Sequence, residues 1–321
     1  MSKKELHHGG RGGHGGKNRK QFFSVSSVSS VVEIFFGLAI MIVSQAATLA
    51  HVEPFWSWNT PICWTGFILF ADGIVFRARG DSWLRSAPRE FVLLALGSIP
   101  LWLVFEFFNR FIRNWYYVGL PENPIARYLG YAWAFATIWP ALFEGAELVG
   151  VIRSWSVGSQ RTRPTRPASL AGPALPAPSA VSIAVGALML WWPLLWPSPY
   201  LAAPVFLGFI FLLDPINARL GAESLTADLR AGRTERIINL SLSGLLCGFL
   251  WELWNYWARS KWHYSVPIME NLKLFEMPLP GYLGFPAFAL ECFTMYVVVR
   301  AVALRLLAHE PRRQLGRTIA L

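Results

Sequence analysis

Glu106-Phe107-Phe108-Asn109, followed by Trp115-Tyr116-Tyr117 and Tyr128-Leu129-Gly130-Tyr131, returns later in the chain as Glu252-Leu253-Trp254-Asn255, Trp262-His263-Tyr264 and Tyr282-Leu283-Gly284-Phe285. The two copies stay nearly in register. Glu252 lies 146 residues after Glu106, Tyr264 147 after Tyr117, and Tyr282 154 after Tyr128. Upstream, Gly66-Phe67-Ile68, Asp72, Ile74, Arg77 and Ser82 recur as Gly208-Phe209-Ile210, Asp214, Ile216, Arg219 and Ser224, each displaced by 142 residues. Agreement at so many positions within a narrow band of offsets implies a tandem duplication. Each copy also sets a carboxylate and an amide inside an apolar run, and the functional reading starts from that oddity.

The solvent of those runs is a bilayer. Hydrophobic residues make up 54% of the 321 and charged residues 15%, with a mean hydropathy of +0.38, whereas a soluble domain carries about a quarter charged residues. A spanning helix needs roughly 20 mostly apolar residues. Eight stretches qualify, at 28–50, 61–77, 91–112, 128–151, 180–197, 200–217, 236–258 and 281–306. The reading is an all-α integral membrane protein whose eight or so transmembrane helices form two tandem four-helix repeats. An even number of helices per repeat returns the chain to its starting side. The repeats are then parallel, related by a pseudo-two-fold axis along the membrane normal.

A net charge of +10 raises the question of nucleic acid, but the distribution answers it. With eight spans, the basic clusters fall on one face: the N-terminal tail, Arg77 to Arg89, Arg153 to Arg166, Arg219 to Arg236, and the C-terminal end. The opposite face holds chiefly Arg110, Arg113, Arg127, Arg259, Lys261 and Lys273. That is the positive-inside asymmetry. It predicts a multi-pass protein of the inner (plasma) membrane with both termini cytoplasmic, partnered by membrane lipids and not by nucleic acid.

The division along the chain follows: residues 1–23 a basic Gly- and His-rich cytoplasmic tail, 24–152 the first membrane repeat, 153–179 an Arg/Pro-rich cytoplasmic linker, 180–308 the second repeat, and 309–321 a basic tail. His7, His8 and His14 in the tail read as solvated, and the Gly10, Gly12, Gly15 string reads as a chance product of glycine richness. Cys63, Cys247 and Cys292 show no paired spacing and read as small buried residues. Phosphate-loop, zinc-protease, serine-hydrolase and paired-aspartate magnesium motifs are absent from the sequence. Neither a cofactor nor a metal is expected.

Chemistry concentrates on the third helix of each repeat. In Glu106-x-x-Asn109 and Glu252-x-x-Asn255 the acid and amide share one helical face, and charged groups within a span ordinarily face the protein interior or a wet cavity. Two such faces can meet across the pseudo-axis. Equally, they can form a buried polar network that locks helices together. Glu291, on the last helix, has no acidic counterpart in the first half, where Thr137 falls at that register. Glu106, Glu252 and Glu291 are the candidate acids. Asn109 and Asn255 are candidates to orient them, and Trp115, Tyr117, Trp254, Trp262 and Tyr264 to contact an apolar ligand or a developing cation. Asp72 and Asp214, each five residues before an arginine, read as Asp–Arg packing anchors at the cytoplasmic ends.

Trp254-Asn255, Trp262-His263-Tyr264, Gly284, Pro286 and Glu291 resemble the pattern of the integral-membrane carotenoid (lycopene) cyclase domains over about 45 residues. In that family an aromatic residue stands beside an acid, a Trp-x-Tyr/Phe step follows, and a Pro-x-Glu-Glu motif lies on the next helix. Here Asn255 stands in the place of the acid, and one late glutamate, Glu291, stands in the place of the pair. The resemblance implies a lipid-phase isoprenoid or carotenoid-like substrate held at a polar site between the repeats. Two further readings follow from the duplicated acids: a transporter or channel with a paired-glutamate cation or proton site, and a non-catalytic membrane scaffold.

Overall fold

The structure, a computed structural model, describes residues 16–156 and 178–307. The first tail up to residue 15, most of the linker and the last tail lie outside the described residues. The first helix, α1 (Gly16–Leu49), begins inside the segment read from sequence as a tail. It is followed by α2 (Phe55–Arg79), a short α3 (Trp83–Ser86), α4 (Pro88–Ile112), a strand β1 (Trp115–Val118), α5 (Pro124–Ala136) and α6 (Ile138–Ser156). The second half runs through α7 (Pro178–Leu195), α8 (Ala202–Arg219), a short α9 (Leu225–Arg230), α10 (Glu235–Trp257), β2 (Lys261–Tyr264), a small hairpin of β3 (Lys273–Leu274) and β4 (Met277–Pro278), and α11 (Gly284–Leu307).

The architecture is all-α. Among the described residues, seven helical segments are long and apolar enough to cross a membrane: Ser29–Leu49, Phe55–Arg79, Pro88–Ile112, Pro124–Ser156, Pro199–Arg219, Glu235–Trp257 and Leu279–Arg305. A shorter apolar helix covers Ser179–Leu195. These eight segments answer to the eight apolar stretches. The fourth is broken at Thr137, where α5 hands over to α6.

Local chemistry sets the shapes that matter for the site. Pro61 lacks the N–H that would bond back to Ser57, and Trp58 leaves helical geometry at φ −119°, ψ 27°, so α2 kinks near its start. Pairs α1/α2 and α7/α8 cross glycine to glycine. A Cβ on Gly37 would stand 2.5 Å from the Gly66 carbonyl oxygen, and one on Gly186 2.7 Å from that of Gly208. Without side chains at these crossings the backbones come into direct contact, which is how helices associate where burial from water offers no drive. Helix α6 is the most enclosed, packed on α2, α4 and α10, and the Trp139 indole donates to the Cys292 carbonyl at 2.8 Å.

The strands were not foreseen. β1 and β2 pair antiparallel, with Trp115 opposite Tyr264, Tyr116 opposite His263 and Tyr117 opposite Trp262. The two segments that match at an offset of 147 residues therefore meet each other crosswise, the register of a local two-fold. The ribbon joins the halves at one end of the helices. Just past β1 the chain touches Arg259: Gly119 has φ +63°, and a Cβ there would lie 2.1 Å from the Arg259 carbonyl oxygen.

Candidate functional site: an aromatic cavity under the ribbon

The two Glu-x-x-Asn motifs hold the ribbon. At the end of α4, Asn109 Nδ2 donates to the Trp115 carbonyl at 2.8 Å, and its Oδ1 accepts from the backbone N–H of Asn114 (2.9 Å) and Trp115 (3.3 Å). At the end of α10, Asn255 Nδ2 donates to the Trp262 carbonyl at 2.8 Å and its Oδ1 accepts from the Trp262 N–H at 2.9 Å. One helical turn earlier the glutamates take the strand side chains. Glu106 Oε1 accepts from Trp102 Nε1 (2.9 Å), Trp115 Nε1 (3.2 Å) and Tyr117 Oη (2.5 Å). Glu252 Oε1 accepts from Tyr264 Oη at 3.0 Å. The asparagines, read from sequence as orienting the acids, thus pin strand backbone instead. The acids are linked through the ribbon, with no direct bond between Glu106 and Glu252.

Beneath the ribbon lies a cavity of about 480 Å³. Its wall takes Trp115 and Tyr117 from β1, and Trp262 and Tyr264 from β2. It takes Trp58, Thr60 and Pro61 from the kinked start of α2, and Trp102, Tyr131 and Phe135 from α4 and α5. Phe206, Trp251 and Phe288 close it from the second half. Four of the five aromatic residues named from sequence as ligand contacts are therefore on the wall. Trp254 is not; it is core, edge-on to Trp64 with ring centroids 4.8 Å apart, and its carbonyl accepts from Asn59 Nδ2 at 3.0 Å. The carboxylates sit one layer behind the wall, reached through the phenols and indoles.

Glu291 belongs to different surroundings. It is fully buried and its Oε1 accepts from the Phe209 N–H at 3.1 Å. Its helix contributes Ala287 and Phe288 to the cavity one turn earlier, but Glu291 itself lies off the wall. The aspartates also depart from the sequence reading. Asp72 accepts from Ser82 Oγ (2.7 Å) and the Leu84 N–H (2.9 Å). Asp214 accepts from Ser224 Oγ (3.0 Å) and from the N–H groups of Leu225 and Thr226 (2.6 and 2.9 Å). Each caps the short helix that follows and takes no bond from Arg77 or Arg219. The repeated serines, not the repeated arginines, are the partners, because a buried carboxylate is best met by donors that need no desolvated charge.

The phenols are set up as donors. Burial, then the neighbouring carboxylate charge, pushes Tyr117 well above the ordinary phenol range, with Glu106 as the partner. The same causes act on Tyr264 through Glu252. Both stay protonated and aimed at their acids. The segment after β2 covers the ribbon end: Val266, Ile268 and Met277 face the cavity. Glu276, at the tip of the β3–β4 hairpin, shares a 2.7 Å hydrogen bond with His263 Nδ1 and stands 3.4 Å from Lys261 Nζ.

Sequence reading missed Trp58, Thr60, Trp102, Asn114 and Trp251. Pro61 and the turn at Asn114 between α4 and β1 are the visible signals for two of them: a proline break and a chain reversal open a helix wall. Comparison with protein families, with curated proteins and with solved structures returns no match.

Proposed function

We propose that this polytopic membrane protein binds, and acts on, a lipid-phase ligand of isoprenoid or carotenoid-like character in the aromatic cavity between its two halves. The carrying observation is the cavity itself: about 480 Å³, walled by tryptophan, tyrosine and phenylalanine from both halves, with two carboxylates held behind the wall. Concave apolar space with few polar groups is what a lipid-phase ligand requires. Aromatic faces backed by Glu106 and Glu252 also favour a ligand that carries or develops positive charge. The resemblance of the second half to carotenoid cyclase domains points to the same ligand class. In this reading the halves descend from one duplicated unit and the protein sits in the plasma membrane with both termini inside.

A second reading draws on the matched placement of Glu106 and Glu252, each accepting from the tyrosine of the strand that follows it, as befits a cation or proton path that uses both halves. One experiment separates the two. Protein purified in mild detergent, wild type beside Trp115→Ala and Trp262→Ala, is analysed by native mass spectrometry with solvent extraction. The binding reading expects a co-purifying apolar molecule whose occupancy drops at least fivefold in folded variants. No molecule beyond bulk lipid in the wild type sinks it and leaves ion flux in liposomes as the test of the rival.

A further inference from the structure

We infer that the first-half end of the cavity is a cage for an organic cation without N–H donors, a trimethylammonium-like centre carried on an apolar chain. The inference rests on the cavity being the ligand site and names the head group it takes. Five aromatic residues of the wall, Trp102, Trp115, Tyr117, Tyr131 and Phe135, form a circuit. Ring centroids lie 5.9 Å apart from Trp115 to Trp102 and 6.1 Å from Trp102 to Phe135. The circuit continues at 5.6 Å from Phe135 to Tyr131 and 5.4 Å from Tyr131 to Tyr117. Trp115 and Tyr117, two residues apart on β1, close it by both donating to Glu106 Oε1, at 3.2 and 2.5 Å. Trp102 Nε1 meets the same oxygen at 2.9 Å, so three of the rings are fixed about one atom. Adjoining rings at this spacing can share one cation, since the attraction reaches about 6 Å from a ring centroid.

The polar atoms of the cage decide which kind of cation it suits. Both indole N–H groups and the Tyr117 phenol are spent on Glu106, and what those residues leave to the cavity is ring surface. A primary ammonium has three N–H donors to satisfy, and such a wall serves it poorly. A cation without N–H loses nothing there. Glu106 supplies the charge. Its Oε1 takes three donors, the bonding of a carboxylate, and among the described residues no basic side chain forms an ion pair with it. The basic residues of the wall are engaged elsewhere. Arg127 Nε donates to the Pro121 carbonyl at 2.9 Å. Lys261 Nζ stands 3.4 Å from Glu276 and donates to the Tyr256 carbonyl at 3.1 Å.

The second half lacks such a cage. At the offset of 146 residues that carries Glu106 to Glu252, Gly248 stands in the place of Trp102. A Cβ on Gly248 would lie 2.2 Å from the Phe285 ring, so that ring occupies the space a tryptophan would need. Glu252 keeps the phenol of Tyr264 at 3.0 Å. A cavity with a cation cage at one end orients its ligand, head toward α4 and β1 and chain toward Phe206 and Phe288.

The test is equilibrium binding of two radiolabelled probes to the full chain in phosphatidylglycerol nanodiscs, which hold no choline, with empty nanodiscs subtracted. One probe is a prenyl chain ending in trimethylammonium, the other the same chain ending in an uncharged tert-butyl group. The wild type is expected to bind the cation about tenfold more tightly. Glu106→Gln keeps the shape and an acceptor for the three donors, and is expected to cut that preference about fivefold. Retained binding of the tert-butyl probe reports that the cavity is still folded. Trp102→Leu removes one ring and is expected to cut the preference about threefold; it decides the matter if Glu106→Gln binds neither probe. Glu252→Gln should cost less preference than Glu106→Gln. Equal binding of the two probes by the wild type, a preference that survives the first-half variants, or a larger loss in Glu252→Gln overturns the inference while leaving the cavity as an apolar site. Failure of both probes to bind the wild type overturns the inference together with the proposed function.

Discussion

At the scale of single residues, the two glutamates that look alike in sequence are held unequally. Glu106 Oε1 has three aromatic donors, whereas Glu252 Oε1 has the phenol of Tyr264, and Glu252 is fully buried. Removing a donor from a buried acceptor costs more when little else remains to meet it. Tyr264→Phe should therefore destabilise the protein by about 1–3 kcal/mol and Tyr117→Phe by about 0.5–1.5 kcal/mol, read as thermal or denaturant unfolding in detergent. The reverse order would show that the donors to Glu106 are not shared as the geometry indicates. The acids and amides themselves were legible, since a carboxylate in an apolar run is conspicuous. Their partners were not. Asn109 and Asn255 bond to backbone at Trp115 and Trp262, and no side-chain pattern encodes a bond to a carbonyl several residues on.

At the scale of elements, helix pairing in each half depends on a glycine contact. A Cβ on Gly37 would meet the Gly66 oxygen at 2.5 Å and the Phe70 nitrogen at 2.6 Å, all rigid backbone, while one on Gly97 of α4 meets nothing within 4 Å. Gly37→Val should cost more than about 3 kcal/mol because two helices must separate to admit it. Gly97→Ala should stabilise by about 0.5–1 kcal/mol through the lost flexibility of glycine in a helix interior. The same unfolding assay decides both, and a benign Gly37→Val would refute the close crossing. The ribbon belongs to this scale too. The Trp-x-Tyr steps at 115–117 and 262–264 place both aromatic rings of each step on one face if extended. That alternation was in view, but two residues of a period are too few to tell a strand from an interfacial aromatic belt.

At the scale of the whole molecule, the halves meet crosswise through β1 and β2. The basic linker and the ribbon are expected on opposite sides of the membrane. All three cysteines are fully buried, so single cysteines can be introduced over a low background. Ser159→Cys should label only from the cytoplasmic side and Glu270→Cys only from the other; labelling of both from one side would break the four-helix count per half. The sequence by itself determined the apolar character of the chain, the rough limits of its long apolar helices, the basic asymmetry and the recurrence of acid, amide and aromatic residues. Those are properties of local composition and spacing, and hydrocarbon imposes them on each segment separately. Only the tertiary structure decided that the aromatic loops pair as strands, that Trp254 is core while Trp115, Tyr117, Trp262 and Tyr264 face a shared cavity, and that Glu291 stands off its wall. Each of these depends on which helix lies opposite, and contacts between residues more than a hundred positions apart leave no periodic trace along the chain.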